Sequence, residues 1–534
     1  MPPDQPPQEQ THSVTTQNTR SILPADMISV EEARERILAH FSPLDAVDVP
    51  LLEARGQVLA EDVRGGFDIP PLDNTAMDGY AVRATDTEGA TYESPLSLRV
   101  TGYLAAGAVF DGEVGAGEAV RIMTGAPVPA GADAIVPFEE TDEQDEAHAG
   151  TQWDQAPREQ VRIDVAATAG ANIRRAGEDI RASEVVLAAG TVLGPAQLGV
   201  LASLGLIAVK AVRRPRVTIL STGDELLRPG EPLAPGKIYD SNAFSLAAQV
   251  ESYGAVPRVL DIAADTVEAL TARIHEGVDG ADLLVTSAGV SRGDFDVVKD
   301  VLEREGEIGF WTVCMKPGKP LAFGAFATGD GGSVPHLGLP GNPVSAMMTM
   351  ELFGRAAIFT MLGKGESWQR PTVRAVAADR IRNSDGRRFY ARAHVELEDG
   401  RYVARLTGPQ GSGVLTSMAL ANGYAVCPED VAAIEAGEEC DVILVDREGP
   451  LPPPSTFTDG AGEWPDDGAD IAVDLVTDGK PVDVWGFPLE MIARPVLTMV
   501  EMLKGVSAPQ SVRLTIRRRP DSPDDRGGGD RERG

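Results

Sequence analysis

The sequence predicts a multidomain α/β and β protein: a central three-layer α/β domain, an N-terminal linker with a β-rich lobe, a small C-terminal β-barrel and a short α+β appendage. Three observations predict this. The 534 residues exceed what one hydrophobic core sustains. From Arg216 onward, strand-length apolar runs alternate with helix-length amphipathic segments. On either side of that region the apolar runs are short and broken by Gly, Pro and Asp.

Each element follows in order. Residues 1–25 are rich in Pro, Gln and Thr, which predicts a disordered tail. Ser29 with Glu31 and Glu32 resembles a capping box, and Ala33, Ile37 and Leu38 share a helical face, so a first helix is expected there. It opens a linker domain of residues 26–60 that resumes at 160–195. Residues 61–159 are inserted, and glycines such as Gly107, Gly112, Gly117, Gly125 and Gly131 divide them into short strands and turns. Within this lobe, residues 138–150 (FEETDEQDEAHAG) are expected to form a solvated acidic loop.

Residues 196–364 carry the α/β rhythm. Strands are expected at 217–220, 256–262 and 283–286. One helix presents Ala243, Leu246, Ala247 and Val250 before Gly254, and a second is capped by Asp265. Continuous apolar strands separated by helices imply a parallel sheet covered on both faces, with ligands bound beyond the carboxyl ends of the strands. Residues 365–447 read as short strands of a barrel. An acidic, Pro-rich linker spans 448–470, a β-β-α-β appendage 471–516, and a disordered tail 517–534.

Composition excludes several function classes. Lys plus Arg number 48 against 81 Asp plus Glu, a formal charge of −33, which argues against nucleic acid or an anionic membrane as the main partner. An anionic substrate therefore needs a local basic pocket. Cys314, Cys427 and Cys440 form neither a CxxC pair nor an even framework, so a reducing cytoplasm is expected and a zinc cluster is not. The N-terminus lacks a basic start and apolar stretch, and the longest apolar run, around 198–209, is too short for a membrane span.

Chemistry-bearing residues concentrate in turns. In LPGNPVS, residues 339–345, Pro340 and Gly341 lead to Asn342 as N-cap and Pro343 at the first helical position, with Ser345 behind them; such a helix opening suits a phosphate or a plain tight turn. Ser221, Thr222, Gly223, Asp224 and Glu225 follow the 217–220 strand and place two carboxylates at its end. Asp240, Ser241 and Asn242 open a helix. After the third strand, Gly289, Ser291 and Gly293 allow close backbone approach, while Asp294 and Asp296 offer hard oxygen ligands for Mg²⁺. The loop at 316–320 presents Lys316 and Lys319 between prolines as an anion clamp. In the lobe, Asp73 and Asp78 lie in DNTAMDGYA (73–81), Thr124 in RIMTGAPVP (121–129), and Asp179 in GEDI (177–180). With no GxSxG, P-loop lysine or HExxH motif, carboxylates, lysines and backbone amides remain, the equipment of metal-assisted phosphoanhydride chemistry.

Taken together, DNTAMDGYA, RIMTGAPVP, GEDI, STGDEL, DSN, GVSRGDFD, KPGKP and LPGNPVS, in this order, resemble the molybdopterin molybdenumtransferase family of molybdenum insertases and their gephyrin-like relatives, over residues 27–446. The resemblance implies an elongated homodimer whose α/β domain binds molybdopterin. It also implies a reaction in which adenylylated molybdopterin and molybdate give molybdenum cofactor and AMP, with Mg²⁺. Asp224 and Glu225 would lie near the adenylyl group, Asp294 near metal and pyrophosphate, with Asp296 and Glu225 as further metal ligands. Lys316, Lys319 and the Asn342 helix opening would hold phosphate or molybdate. Asp73, Asp78 and Thr124, with Asp179 nearby, would close the site from a partner subunit, and Ser412 matches a small motif of the C-terminal domain. Molybdopterin adenylyltransferase and molybdoenzyme maturation factors are the implied pathway partners. One departure is Ala288-Gly289, where the family usually has two glycines. The alternatives are a molybdopterin adenylyltransferase and a non-catalytic cofactor carrier or scaffold.

Overall fold

The computed structural model describes residues 27–143, 158–288, 306–329 and 331–445, with isolated positions 301 and 304 and the strand segments 475–477 and 480–482. Met1–Pro454 and Ser455–Gly534 are separate compact units. In the first, α1 (Val30–Leu38) starts at Ser29, whose hydroxyl accepts from the Glu32 amide. It buries Val30, Ala33 and Ile37, the face its spacing predicts, while Leu38 stays half-buried. Strand β1 (Ala46–Pro50) follows.

The lobe contains β2 (Asn74–Thr75), β3 (Gly79–Val82), β4 (Leu96–Leu104), β5 (Glu118–Ile122), β6 (Ala134–Pro137) and β7 (Gln160–Ile163). Five of these form one sheet in the order β6-β3-β5-β4-β7, with β4 and β5 parallel. The short β8 (Ile173–Arg174) pairs with β2, tying the return of the chain to the 73–81 loop. The acidic segment after β6 departs from the solvated loop expected. Phe138–Glu140 is a 3₁₀ turn, Thr141 is buried and donates back to the Phe138 carbonyl, and Glu143 is buried against Tyr80 and Arg121; residues 144–150 lie outside the described residues.

Next come α2 (Pro195–Ser203) and β9 (Ala208–Val212), the latter antiparallel to β1. The α/β domain has β10 (Arg216–Ser221), a parallel pair β11 (Leu226–Leu227) and β12 (Ile238–Tyr239), and α3 (Asn242–Ser252). It continues with β13 (Val256–Val259), α4 (Val267–Val278) and β14 (Leu283–Ser287). After β15 (Gly306–Thr312) and β16 (Met315–Lys316) come β17 (Pro320–Ala327) and β18 (Ser333–Leu339). The main sheet runs β13-β10-β14-β18-β17-β15. The expectation of an all-parallel sheet needs correction, because β17 pairs antiparallel with both β18 and β15. Short β-turn connections in that half leave no room for a crossover helix.

Alternate residues of the parallel strands face opposite layers. Val217 and Ile219 of β10, with Leu283 and Val285 of β14, pack against α1 and α3. Leu220 and Leu284 face Leu270, Ile274 and Val278 of α4. This is the three-layer arrangement. The strand expected to reach residue 262 stops at Val259, and Thr266, not Asp265, caps α4 by accepting from the Ala269 amide. Asp265 is engaged elsewhere, as described below. Helix α5 (Pro343–Thr349) runs through a π turn (Met350–Gly354) into α6 (Arg355–Met361).

The barrel comprises β19 (Thr372–Ala377), β20 (Arg388–Glu398), β21 (Arg401–Leu406), β22 (Gly423–Cys427) and β23 (Glu439–Leu444). It closes because β20 pairs with both β21 and β22. Val373, Phe389, Ala391, Ala425 and Val442 fill it. In the second unit, β24 (Leu475–Thr477) and β25 (Lys480–Val482) pair antiparallel as a tight hairpin, where the first two strands of the appendage are expected. The helix expected after them lies outside the described residues.

Candidate active site

Two clusters of predicted residues form, one in each sheet. In the α/β domain the parallel strands deliver their carboxyl ends to one edge, since β10, β14 and β18 lie side by side with Ser221 opposite Ser287 and Ser287 opposite Leu339. Three predicted turns therefore meet. Asn242, at the first position of α3, fastens them: its Nδ2 donates to Ser287 Oγ at 2.6 Å and to the Gly341 carbonyl at 2.8 Å. Capping of α3 is done by Asp240, whose Oδ1 accepts from the Ala243 amide, while the Ser241 side chain makes no cap bond.

The turn after β10 is held by Asp265. Thr222 Oγ1 donates to Asp265 Oδ1 at 2.9 Å, and the Asp224 amide reaches Asp265 Oδ2 at 3.3 Å. Gly223 has φ +146°, a conformation that L side chains rarely adopt, so the turn depends on glycine there. Asp224 and Glu225 are exposed, and Lys237 donates to the Asp224 carbonyl. Ser221, Thr222, Ser287 and Ser345 are buried. Ser221 Oγ and Asn242 Oδ1 are buried at the strand ends with no protein partner, so this edge holds polar capacity that the described protein groups do not use.

At the 339–345 turn, Pro340 is buried, whereas Gly341 and Asn342 are exposed. Asn342 occupies the N-cap position and Pro343 the first helical one, but the Asn342 side chain makes no cap bond. The Val344 amide, expected to face a ligand, donates instead to the Ser412 carbonyl at 3.1 Å. Ser412 thus brings the barrel to the site. The loop carrying it rests on Arg392, a fully buried guanidinium that donates from Nε to Ser417 Oγ and from Nη2 to the Gly411 carbonyl. Its Nη1 has no partner, and burial lowers its pKa to about 10.

The lysine loop packs beneath the same helix. Gly318, with φ +104°, passes so close that a Cβ would lie 2.7 Å from Thr349 Oγ1. Lys316 is not the free ammonium its sequence suggests, since its Nζ lies 3.5 Å from Asp385 Oδ2 and 5.2 Å from the Phe389 ring centroid. Burial alone would raise the Asp385 carboxyl, but Arg387 and Lys316 hold it below its ordinary value. Lys319 is exposed. Gly289, Ser291, Gly293, Asp294 and Asp296 lie outside the described residues, and among the described ones no cluster of three His, Cys, Asp or Glu side chains is placed to hold a metal.

The second cluster is in the lobe. Asp78 Oδ1 accepts from both the amide and the hydroxyl of Thr124, at 2.6 and 2.7 Å. Asp73 accepts from the Ala176 amide at 2.8 Å and Arg175 Nη1 at 2.6 Å, and these bonds hold its carboxyl below the usual range. Asp179 is exposed, and its amide donates to the Ile69 carbonyl, which seats the 177–180 turn beside the 73–81 loop. Sequence reasoning missed Asp265 and Arg392. Asp265 looked like a helix cap, and Arg392 stands in a strand that also carries Arg388, His394, Glu396 and Glu398, so its charge gave no signal of burial.

Comparison with known proteins shows which families this chain resembles. Residues 28–205 match the family described as MoeA N-terminal region (domain I and II), 218–360 a probable molybdopterin binding domain, and 374–445 the MoeA C-terminal region (domain IV). The chain is 40% identical over 422 residues to molybdopterin molybdenumtransferase 2 of Mycobacterium tuberculosis, covering 78% of this chain and 99% of that one. It is 34% identical over 414 residues to molybdopterin molybdenumtransferase of Haemophilus influenzae, covering 77% and 97%. The crystal structure of the molybdopterin biosynthesis moeA protein of Pyrococcus horikoshii OT3 superposes with a TM-score of 0.62 at 29% identity, over 78% of this chain and all of that one.

Proposed function

The chain belongs to the molybdopterin molybdenumtransferase (MoeA) family, and from that premise we propose that the edge where β10, β14 and β18 end is where molybdate meets adenylylated molybdopterin. The activity is transfer of molybdenum into molybdopterin, in the biosynthesis of the molybdenum cofactor. Matches at both flanking regions as well as the centre favour this over an adenylyltransferase.

The observation that carries the placement is the Asn242 knot, which joins the ends of β14 and β18 beside two unsatisfied buried oxygens. In this reading Ser221, Thr222 and Gly223 cradle the adenylyl group, with Asp224 and Glu225 beside it. Lys319, Lys316 and the Ser345 end of α5 attract the oxyanion, and Arg392 supports the loop of Ser412. Mg²⁺ suits the hard-oxygen donors: Glu225 would hold it together with Asp294 and Asp296, and it would neutralise phosphate charge. An oriented water or a molybdate oxygen attacks the adenylyl phosphorus, and molybdopterin phosphate is the leaving group. With water, the adenylyl group is freed directly as AMP, and a molybdate oxygen departs as water when the two pterin thiols, losing their protons, bind molybdenum. With molybdate, the Mo–O bond of the adenylyl-molybdate breaks as those thiols bind the metal, and the bridging oxygen leaves on AMP. Electrostatic positioning supplies most of the rate.

Asp78 with Thr124, and Asp73 with Asp179, form a second set of contacts that a partner protomer of a cytoplasmic homodimer would bring to this edge. The test is AMP release from adenylylated molybdopterin with and without ¹⁸O-labelled molybdate. Molybdate-dependent release is expected, with label in AMP if molybdate oxygen is the nucleophile; no release in either case would reject the enzyme assignment.

A further inference from the structure

Glu143 closes the lobe sheet immediately behind the Asp78–Thr124 pair. Tyr80 and Arg121 are direct cross-strand partners on β3 and β5, one register step from Gly79 opposite Ile122. Asp78 leaves β3 at that end and Thr124 lies just beyond β5. Glu143, only 5% exposed, sits over the partners and receives the Tyr80 hydroxyl, Arg121 Nε at 3.2 Å and Arg121 Nη2 at 3.0 Å. Arg158 adds a second cation, its Nε 3.4 Å from the same carboxylate.

The surroundings are rigid. The Tyr80 ring meets Phe138 edge-on at 5.7 Å, and the Arg121 guanidinium lies 4.4 Å from the centroid of that same ring. On the other side of β3, a Cβ at Gly79 would stand 2.1 Å from the Val136 carbonyl, and the Phe138 amide donates to the Asp78 carbonyl. A buried carboxylate that satisfies donors from two strands fixes their relative height more firmly than a backbone ladder near its end. Lobe stability alone does not require an ion network there, because apolar residues in place of Glu143 and its two arginines together would fill the space without burying charge.

We infer that Glu143 is a positioning residue: it sets the separation of β3 and β5 at the point where Asp78 and Thr124 leave them, and so the geometry at which that pair is presented to substrate. This rests on the reading of Asp78 and Thr124 as site residues. Misplacement of a presented group by a fraction of an ångström lowers turnover without altering affinity at other contacts.

The test uses the full chain with adenylylated molybdopterin and molybdate, comparing E143Q, D78N, T124A and the doubles that combine E143Q with each. E143Q is expected to lower kcat about tenfold with both KM values within about twofold, and to add less than about twofold in the D78N or T124A background. A merely structural role would lower Tm and the active fraction equally in every background and leave turnover per folded molecule unchanged. If E143Q does not fold, Tyr80→Phe, which keeps the ring on Phe138 and removes one bond to Glu143, must show the same non-additivity with a smaller loss. Impaired D78N and T124A with wild-type or multiplicative E143Q and Y80F would overturn the inference alone. Wild-type turnover by D78N and T124A would overturn the site reading and the inference with it.

Discussion

Ala288 holds φ +93°, a left-handed conformation natural to glycine, at the position where the sequence resemblance implies one. The backbone thus follows a glycine path despite the methyl group, which stands 3.4 Å from where a Cβ on Gly341 would lie. Ala288→Gly should relieve strain of about 1 kcal/mol and raise the unfolding midpoint, read in denaturant titrations. His336 offers a second single-residue test. Burial in the sheet lowers its pKa to about 3 from the usual 6.5, with Thr286 Oγ1 2.9 Å from Nε2. Its folded pKa lies below its unfolded one, so the unfolded chain takes up the proton first as pH falls. Stability attributable to this group is therefore intact above about pH 6.5, declines at up to about 1.4 kcal/mol per pH unit, and stops declining near pH 3. His336→Gln should flatten that slope in pH-resolved unfolding experiments. Residue-level chemistry was legible where it repeats a local rule, as at Ser29 and Asp240. Asn242 is different: its sequence context gives a helix start, and its use as a knot between two other strands depends on contacts 45 and 99 residues away.

At the scale of elements, the lysine loop and the helix beneath Asn342 behave as one unit because Gly318 lets them touch. Gly318→Ala should cost about 1–3 kcal/mol and depress molybdenum transfer more than it depresses binding of the pterin nucleotide, measured by calorimetry against turnover. The expected strands at 217–220 and 283–286 were readable because fully buried parallel strands are continuously apolar. The antiparallel half was not readable. Phe323 and Leu321 of β17 face one core and Phe326 another, so its pattern resembles any buried strand and gives no direction. The boundary at Val259 was missed because Leu260, Ile262 and Ala263 continue the apolar run around Asp261, while the amides of Leu260 and Ala263 bond onward to β10 without forming a ladder.

On the scale of the whole molecule, the family matches end at residue 445 and the compact unit containing them at Pro454. A chain ending near residue 454 should keep full molybdenum transfer, with loss of turnover on truncation showing that the later segment takes part. Within the larger unit, Arg388 of the barrel pairs with Glu31 of α1 and, at 2.9 Å, with Glu429. Arg388→Ala should weaken the seating of α1 and lower stability by about 1–2 kcal/mol, mostly through Glu429, since the pair with the half-exposed Glu31 is screened by solvent. The Val344 amide has the widest reach. It is one donor already taken by a carbonyl of another domain, so an oxyanion that claims it must evict the Ser412 loop. Ligand occupancy and barrel docking then compete for the same proton, and hydrogen exchange across residues 409–417 becomes a gauge of whether the oxyanion has arrived.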